Sequence, residues 1–349
     1  MAKKETDIKG LQELKAAIRA KEPQNLYFFH GEETFLLHHY LEQLKKLLLD
    51  ELTESFNYHR FTNENFEIRE FADAVENLPM MAEHTLVQVD DVDIFKMSED
   101  GRSKIAEILS DIPDYCTVVF THMTVVWNPD KRLKKLWDVV QTKGNIVEFG
   151  KQEPKDLIPW ITRHFASKGK RISSELCHYL MEITGGTMTA LSGEIDKICA
   201  YSGAEHIQKA DIDAVTEPVL DAVIYQITDA MGRGQYAVAL EKLHQVLKMQ
   251  EDPLKILGAI GGHFRRITTA RTLQENGKQV GDYMKLCAIT SSYAAQKTMD
   301  LSRRFSPEFC RKASELVLET DRKMKTSFDE PQRLLELLVL ELAQEARRA

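Results

Sequence analysis

Read for apolar periodicity, the chain changes character near residue 150. Ile8–Ala20 carries Leu11, Leu14 and Ile18 on one helical face, and the aromatic run Asn25–His30 reads as a strand stopped by Gly31. A helix bearing Phe35, Leu36, Tyr40, Leu44, Leu47 and Leu48 follows. The alternation then repeats. Strands are expected at Phe56–Phe61, Thr85–Val89, Cys116–Thr121 and Asn145–Phe149, with helices at Glu67–Leu78, Ser103–Leu109 and Asp130–Val140 between them. Strands separated by helices predict a parallel α/β sheet over residues 1–150.

Beyond Gly150 only helical spacing remains. Pro154–Lys168, Ser173–Thr184, Thr189–Tyr201 and Ile207–Val215 form one helical group, with Gly185-Gly186 as its internal break. From Glu217-Pro218 a second helical group runs to the end. Its last helix, Gln332–Ala346, has leucine or valine at 334, 335, 337, 338, 339 and 340 and is expected to be buried in its own domain or against a partner. The expected division is 1–150, 151–216 and 217–349: α/β first, then all-α.

Composition narrows the chemistry. Forty-three per cent hydrophobic and 29% charged residues suit a globular chain with a sizeable core. No apolar run is long enough to span a bilayer, so no membrane association is expected and the location is read as cytoplasmic. The net charge of −8 argues against a protein that binds nucleic acid on its own. Five scattered cysteines, with no C-x-x-C pair, point to reduced core residues and give no metal framework. No catalytic motif appears, and neither a catalytic residue nor a cofactor is expected.

The loop after the first strand is the informative one. A phosphate-binding loop needs G-x-x-x-x-G-K-[ST] between strand and helix, with backbone N–H groups, a lysine and a hydroxyl around phosphate and magnesium. Gly31 is in place, but the second glycine, the lysine and the hydroxyl positions hold Leu36, Leu37 and His38, and Glu32 and Glu33 add negative charge. Asp90-Asp91 at the end of the Thr85–Val89 strand resembles a magnesium-binding acidic pair; without the lysine it is read as a strand cap. The domain has the shape of an ATPase without its equipment.

Several segments in order resemble the delta subunit of the bacterial DNA polymerase III clamp loader. They are Gly31-Glu32-Glu33 with Phe35-Leu36, Leu78-Pro79-Met80-Met81 ahead of the Leu86–Val89 strand, Lys134-Lys135, and Asn145–Phe149. Gly185-Gly186, Gly193–Ile198, Phe264–Arg266, Ala294–Lys297, Arg303–Ser306 and Asp321–Thr326 continue the series. The resemblance implies an AAA+-like α/β domain, a small helical lid and a helical collar. It implies a subunit that grips the β sliding clamp and opens, or holds open, its ring for loading onto primer–template DNA. The partners it implies are the gamma/tau ATPase subunits and delta-prime, with ATP hydrolysis left to other subunits. Carried onto this chain, the family's clamp-binding element falls on Leu78, Pro79, Met80 and Met81. Pro79 is expected to end the Glu67–Leu78 helix and present the methionines, which adapt to irregular pockets, on a bend. Leu78 could equally continue the apolar stripe of its helix into the core.

The basic group Lys131, Arg132, Lys134 and Lys135 could face phosphates or be a solvated helix face; Lys168, Lys170 and Arg171 are open to the same two readings. The alternatives fare worse on the residues. An active ATPase needs a lysine where Leu37 stands, a stand-alone nucleic-acid adaptor should be basic, and delta-prime should carry an arginine finger and a cysteine cluster. A nucleotide-fold scaffold acting on nucleic acid outside the clamp loader is the remaining alternative.

Overall fold

The computed structural model describes residues 2–248, 251–289 and 292–348, in two compact units, Met1–Gln152 and Glu153–Ala349. In the first, helices α1 (Ala2–Ala20), α2 (Thr34–Leu48), α3 (Glu54–Asn57), α4 (Ile68–Glu76), α5 (Glu99–Ser110) and α6 (Lys134–Lys143) surround a parallel sheet. Its strands are β1 (Leu26–His30), β2 (Tyr58–Thr62), β3 (Thr85–Asp90), β4 (Cys116–His122) and β5 (Asn145–Glu148), in the order β2-β3-β4-β1-β5.

Successive strand side chains point to opposite faces, and both faces are covered, as a parallel sheet requires. Tyr27, Phe29, Leu86, Val119 and Val147 pack on one side with Leu14 of α1 and Leu37, Leu41, Leu44 and Leu48 of α2. Leu26, Phe28, Val87, Val118 and Phe120 pack on the other with Phe71 of α4, Ile105 of α5 and Leu136 of α6.

Several expected boundaries move: α1 begins at Ala2, ahead of Ile8, and α5 at Glu99, ahead of Ser103. The Phe56–Phe61 strand starts only at Tyr58, because residues 54–57 close a helical turn, α3, with Asn57 N–H on the Thr53 carbonyl. The Glu67–Leu78 helix ends at Glu76, two residues before Leu78, with the Asn77 N–H as its last hydrogen bond. Pro79 therefore follows a helix that has already stopped, in keeping with the extended backbone favoured just before a proline. The Asp130–Val140 helix begins at Lys134; residues 130–133 form a turn held by Leu133 N–H on the Asp130 carbonyl.

The second unit is all helical: α7 (Pro154–Ser167), α8 (Ser174–Thr184), α9 (Met188–Tyr201), α10 (Lys209–Val215), α11 (Leu220–Gly232), α12 (Tyr236–Lys248), α13 (Pro253–Glu275), α14 (Val280–Leu286), α15 (Ser292–Ser302), α16 (Pro307–Thr326) and α17 (Pro331–Arg348). Gln208 and Asp211 cap α10 reciprocally. Helices α11–α13, α16 and α17 share one core, in which Leu335, Leu338, Val339 and Leu342 are buried. Helix α8 is tied to α15 and α11: the Lys297 ammonium bonds both Glu182 oxygens (2.6 and 2.5 Å) and sits 4.1 Å over the Tyr225 ring. His178 stacks on Tyr293 beside that pair.

Candidate protein-docking loop and the blocked nucleotide crevice

In an open α/β sheet a ligand sits beyond the carboxyl ends of the strands. Here that space, over β1 and β4, is filled by the chain itself. His30 and His122 are register partners at the ends of these strands. Trp127, from the loop after β4, stacks on His30 with ring centroids 5.6 Å apart, lies 4.8 Å from His122, and touches Phe28 and Phe95. Burial lowers the His122 pKa against the opposing pull of Asp91 and Asp93 and so favours its uncharged form.

The phosphate-loop positions agree with this blockage. Gly31 has φ +131°, and a Cβ there would lie 2.3 Å from the Phe149 carbonyl oxygen. That carbonyl accepts from Glu33 N–H at 2.9 Å, so the end of β5 uses a donor that a phosphate would need. Leu37, at the lysine position, is wholly buried against the sheet; Leu36 is half-buried and His38 exposed.

Both acids at the end of β3 are structural. Asp90 is buried and accepts from Gln88 (2.6 Å), Thr121 (2.6 Å) and the Arg60 Nε (2.7 Å). Asp91 adopts φ +56° and caps the next loop, accepting from the N–H groups of Met123, Thr124 and Val125 and from the Thr124 hydroxyl. Partial burial pushes its carboxyl up, but those four donors more than offset this and hold it below the usual carboxylate range.

At residues 77–84 the chain presents apolar side chains to solvent. Leu78, Met80 and Met81 are 77%, 57% and 93% exposed, and Met81 has φ +55°. Leu78 therefore does not extend the stripe of α4, which ends at Phe71, Ala74 and Val75. Pro79 is half-buried between them.

The loop is held by a residue that sequence reasoning missed. Asn57 is fully buried; its Oδ1 accepts from Met80 N–H at 2.6 Å, and its Nδ2 donates to the Met80 carbonyl at 3.0 Å and the Thr53 carbonyl at 3.1 Å. One amide thus satisfies both backbone groups of Met80. Tyr115 adds a hydrogen bond from its hydroxyl to the Glu76 carbonyl, at the root of the loop. An asparagine ahead of a strand reads as an ordinary turn residue, and its partner lies 23 residues away, so no local signal marks it.

The comparisons with known proteins bear on the whole chain. Residues 27–149 match the family model described as DNA polymerase III, delta subunit, and residues 221–342 match the model of that subunit's C-terminal domain, together well over half of the sequence. The chain belongs to the DNA polymerase III delta-subunit family. As a delta subunit it is a non-catalytic member of that polymerase. It is 25% identical over 335 residues to the DNA polymerase III subunit delta of Bacillus subtilis, covering 93% of this chain and 95% of that one. The probable delta subunit of Aquifex aeolicus is 20% identical over 327 residues, with 89% of each chain covered. A solved structure of the Bacillus subtilis DNA clamp loader delta protein shares the fold, with a TM-score of 0.58, 22% identity and coverage of 95% and 99%.

In this family member the basic groups are only partly free. Arg132 makes a two-bonded pair with Asp130 (2.9 and 2.8 Å), and Lys131 lies 5.3 Å over the Trp137 ring. Lys134 and Lys135 open α6 and are exposed, a place where the helix dipole disfavours positive charge. Lys168, Lys170 and Arg171 bond Asp196, the Ser202 and Ala204 carbonyls, and Glu205. Among the described residues no group of acids, histidines and cysteines could hold a metal, and no helix is long and apolar enough to cross a membrane.

Proposed function

We propose that this chain is the clamp-gripping subunit of a bacterial clamp loader, binding the β sliding clamp through Leu78, Pro79, Met80 and Met81 and opening or holding open its ring. The observation that carries this is the latched loop: three large apolar side chains face solvent on a backbone whose position a buried side chain fixes. Ordering before contact lowers the entropic cost of docking. Each such side chain contributes roughly 1.5–3 kcal/mol when buried by a partner, so two or three make a hot spot.

In this reading residues 1–150 form a degenerate AAA+ domain that carries the clamp-binding loop. Residues 151–216 are a lid, and 217–349 a collar that assembles with the gamma/tau ATPase subunits and delta-prime. The filled crevice supports leaving ATP hydrolysis to those subunits. Lys134 and Lys135, exposed at the start of α6, are the basic residues assigned to meet primer–template DNA inside the assembly. The work is done in the bacterial cytoplasm at the replication fork.

The test is a calorimetric titration of the full chain against the β clamp of the same organism, with and without ATP. Binding that ignores ATP and falls about a hundredfold in Met80→Ala/Met81→Ala is expected from about 3 kcal/mol of lost burial. Wild-type affinity in that variant would remove the loop from the interface, and ATP turnover by the chain alone would overturn the non-catalytic role.

A further inference from the structure

Beyond the Asn57 latch, the turn and short helix before β2 carry two large apolar side chains in solvent that the function argued so far does not use: Leu52 is 87% and Phe56 59% exposed. Residues 50–57 wind helically, with Glu54 N–H on the Asp50 carbonyl and Phe56 N–H on the Thr53 carbonyl. Four residues apart on such a turn, Leu52 and Phe56 share a face.

This segment is rigid and stands beside the docking loop. The Asp50 carboxylate accepts from Leu52 N–H at 2.9 Å. Lys45 of α2 bonds Glu54 at 2.6 Å and lies 4.1 Å over the Tyr58 ring. Above all, the same Asn57 amide that grips Met80 also holds the Thr53 carbonyl. Residues 52–56 and 78–81 are thus the two sides of one buried side chain. Five exposed large apolar residues gathered about one anchor form a patch of the kind that marks an interaction site.

Within the two segments themselves the charges have one sign. The only charged residues from Asp50 to Phe56 are Asp50, Glu51 and Glu54, and from Glu76 to Glu83 only those two terminal glutamates. Glu54 is paired with Lys45, while Asp50, Glu51, Glu76 and Glu83 are exposed. An apolar centre with a carboxylate rim fits an apolar cleft bordered by lysine or arginine, and repels a second copy of itself.

We infer that the clamp-docking surface is double, with Leu52 and Phe56 entering the same basic-rimmed cleft of the clamp as Met80 and Met81. This rests on the clamp-gripping function proposed above and extends it to a second segment and to the chemistry of the partner's cleft.

The experiment compares full-length Leu52→Ala/Phe56→Ala with Met80→Ala/Met81→Ala and wild type, titrated against the β clamp from 50 to 500 mM salt. Sedimentation of each chain alone accompanies the titrations. The 52/56 variant, altered only at exposed positions, is expected to keep its melting temperature and bind the clamp at least tenfold more weakly. Wild-type affinity should fall with salt, and the chain alone should stay monomeric. Unchanged affinity in the 52/56 variant with impaired binding in the 80/81 variant would overturn the second segment and leave the first standing. Unchanged affinity in both would remove the underlying function as well. Salt-independent binding would overturn the basic rim, and self-association abolished by the 52/56 change would assign the patch to a second copy instead.

Discussion

Replacing Asn57 with alanine tests whether the docking loop must be held. The change removes three hydrogen bonds, two to the Met80 peptide and one to the Thr53 carbonyl. At roughly 0.5–1.5 kcal/mol net each, that is about 1.5–4.5 kcal/mol of anchoring. Met80 is half open to solvent, so water can replace part of this, and a loss of about 1–2 kcal/mol in chemical unfolding is expected. The effect on binding should be larger than the contact inventory suggests, because Asn57 is buried and cannot itself touch a partner. A freed loop must be ordered again on docking, at about 1–2 kcal/mol per residue fixed. Clamp affinity is therefore expected to fall about 10- to 100-fold, the equivalent of roughly 1.4–2.7 kcal/mol. Calorimetric titration against the clamp measures this directly. In a background already carrying Met80→Ala/Met81→Ala the same change should weaken binding less, since both act through one loop. A lowered unfolding midpoint combined with affinity within about twofold of wild type would refute the reasoning: Asn57 would then support the fold and not the docking geometry.

Three further outcomes are expected. His263 is buried, hydrogen-bonded to Thr228 at 2.8 Å, and held by burial and the nearby Arg266 at a pKa of about 3 against an ordinary 6.5. The unfolded chain binds the extra proton first, so stability is complete above pH 6.5 and lost at roughly 1.4 kcal/mol per pH unit as pH falls from 6.5 toward 3. Urea unfolding at pH 7.5 and 5.5 should differ by about 1.4 kcal/mol in total in the wild type and by less in His263→Leu; equal differences would exclude His263 as the cause. Leu37→Lys restores the phosphate-loop lysine in sequence but puts a charge into the core, and should cost on the order of 3 kcal/mol without yielding nucleotide binding; fluorescent-ATP titration and urea unfolding decide, and a stable ATP-binding variant would contradict the filled crevice. Lys134→Glu/Lys135→Glu should leave clamp affinity intact but reduce the salt slope of primed-DNA binding by the reconstituted loader by about two; an unaltered slope would remove both residues from the DNA path.

The parallel sheet was legible because its strands are buried on both faces and read as apolar blocks, as at Cys116–Thr121, between amphipathic helices. The place of Leu37 was legible too, since it is as apolar as its buried position demands. Boundaries failed where local spacing imitated another element. Phe56 completes an alternating pattern with Tyr58 that belongs to a strand, but Thr53 and Asn57 close a helical turn first. Leu78 falls at helical spacing from Phe71 and Val75, yet the chain turns away after Glu76 because Met80 is fastened to Asn57. Trp127 closing the crevice was equally invisible: it lies in a loop, and its partners His30 and His122 come from two strands brought together only by the fold.

The tryptophan over the strand ends has a thermodynamic consequence. A domain that binds nucleotide gains stability by mass action with its ligand and loses it on release, so its conformational balance follows the cell's adenylate levels. With Trp127, His30 and Phe28 already packed in that space, the corresponding contribution is intramolecular and constant. A domain built this way keeps one resting geometry whatever the nucleotide level around it.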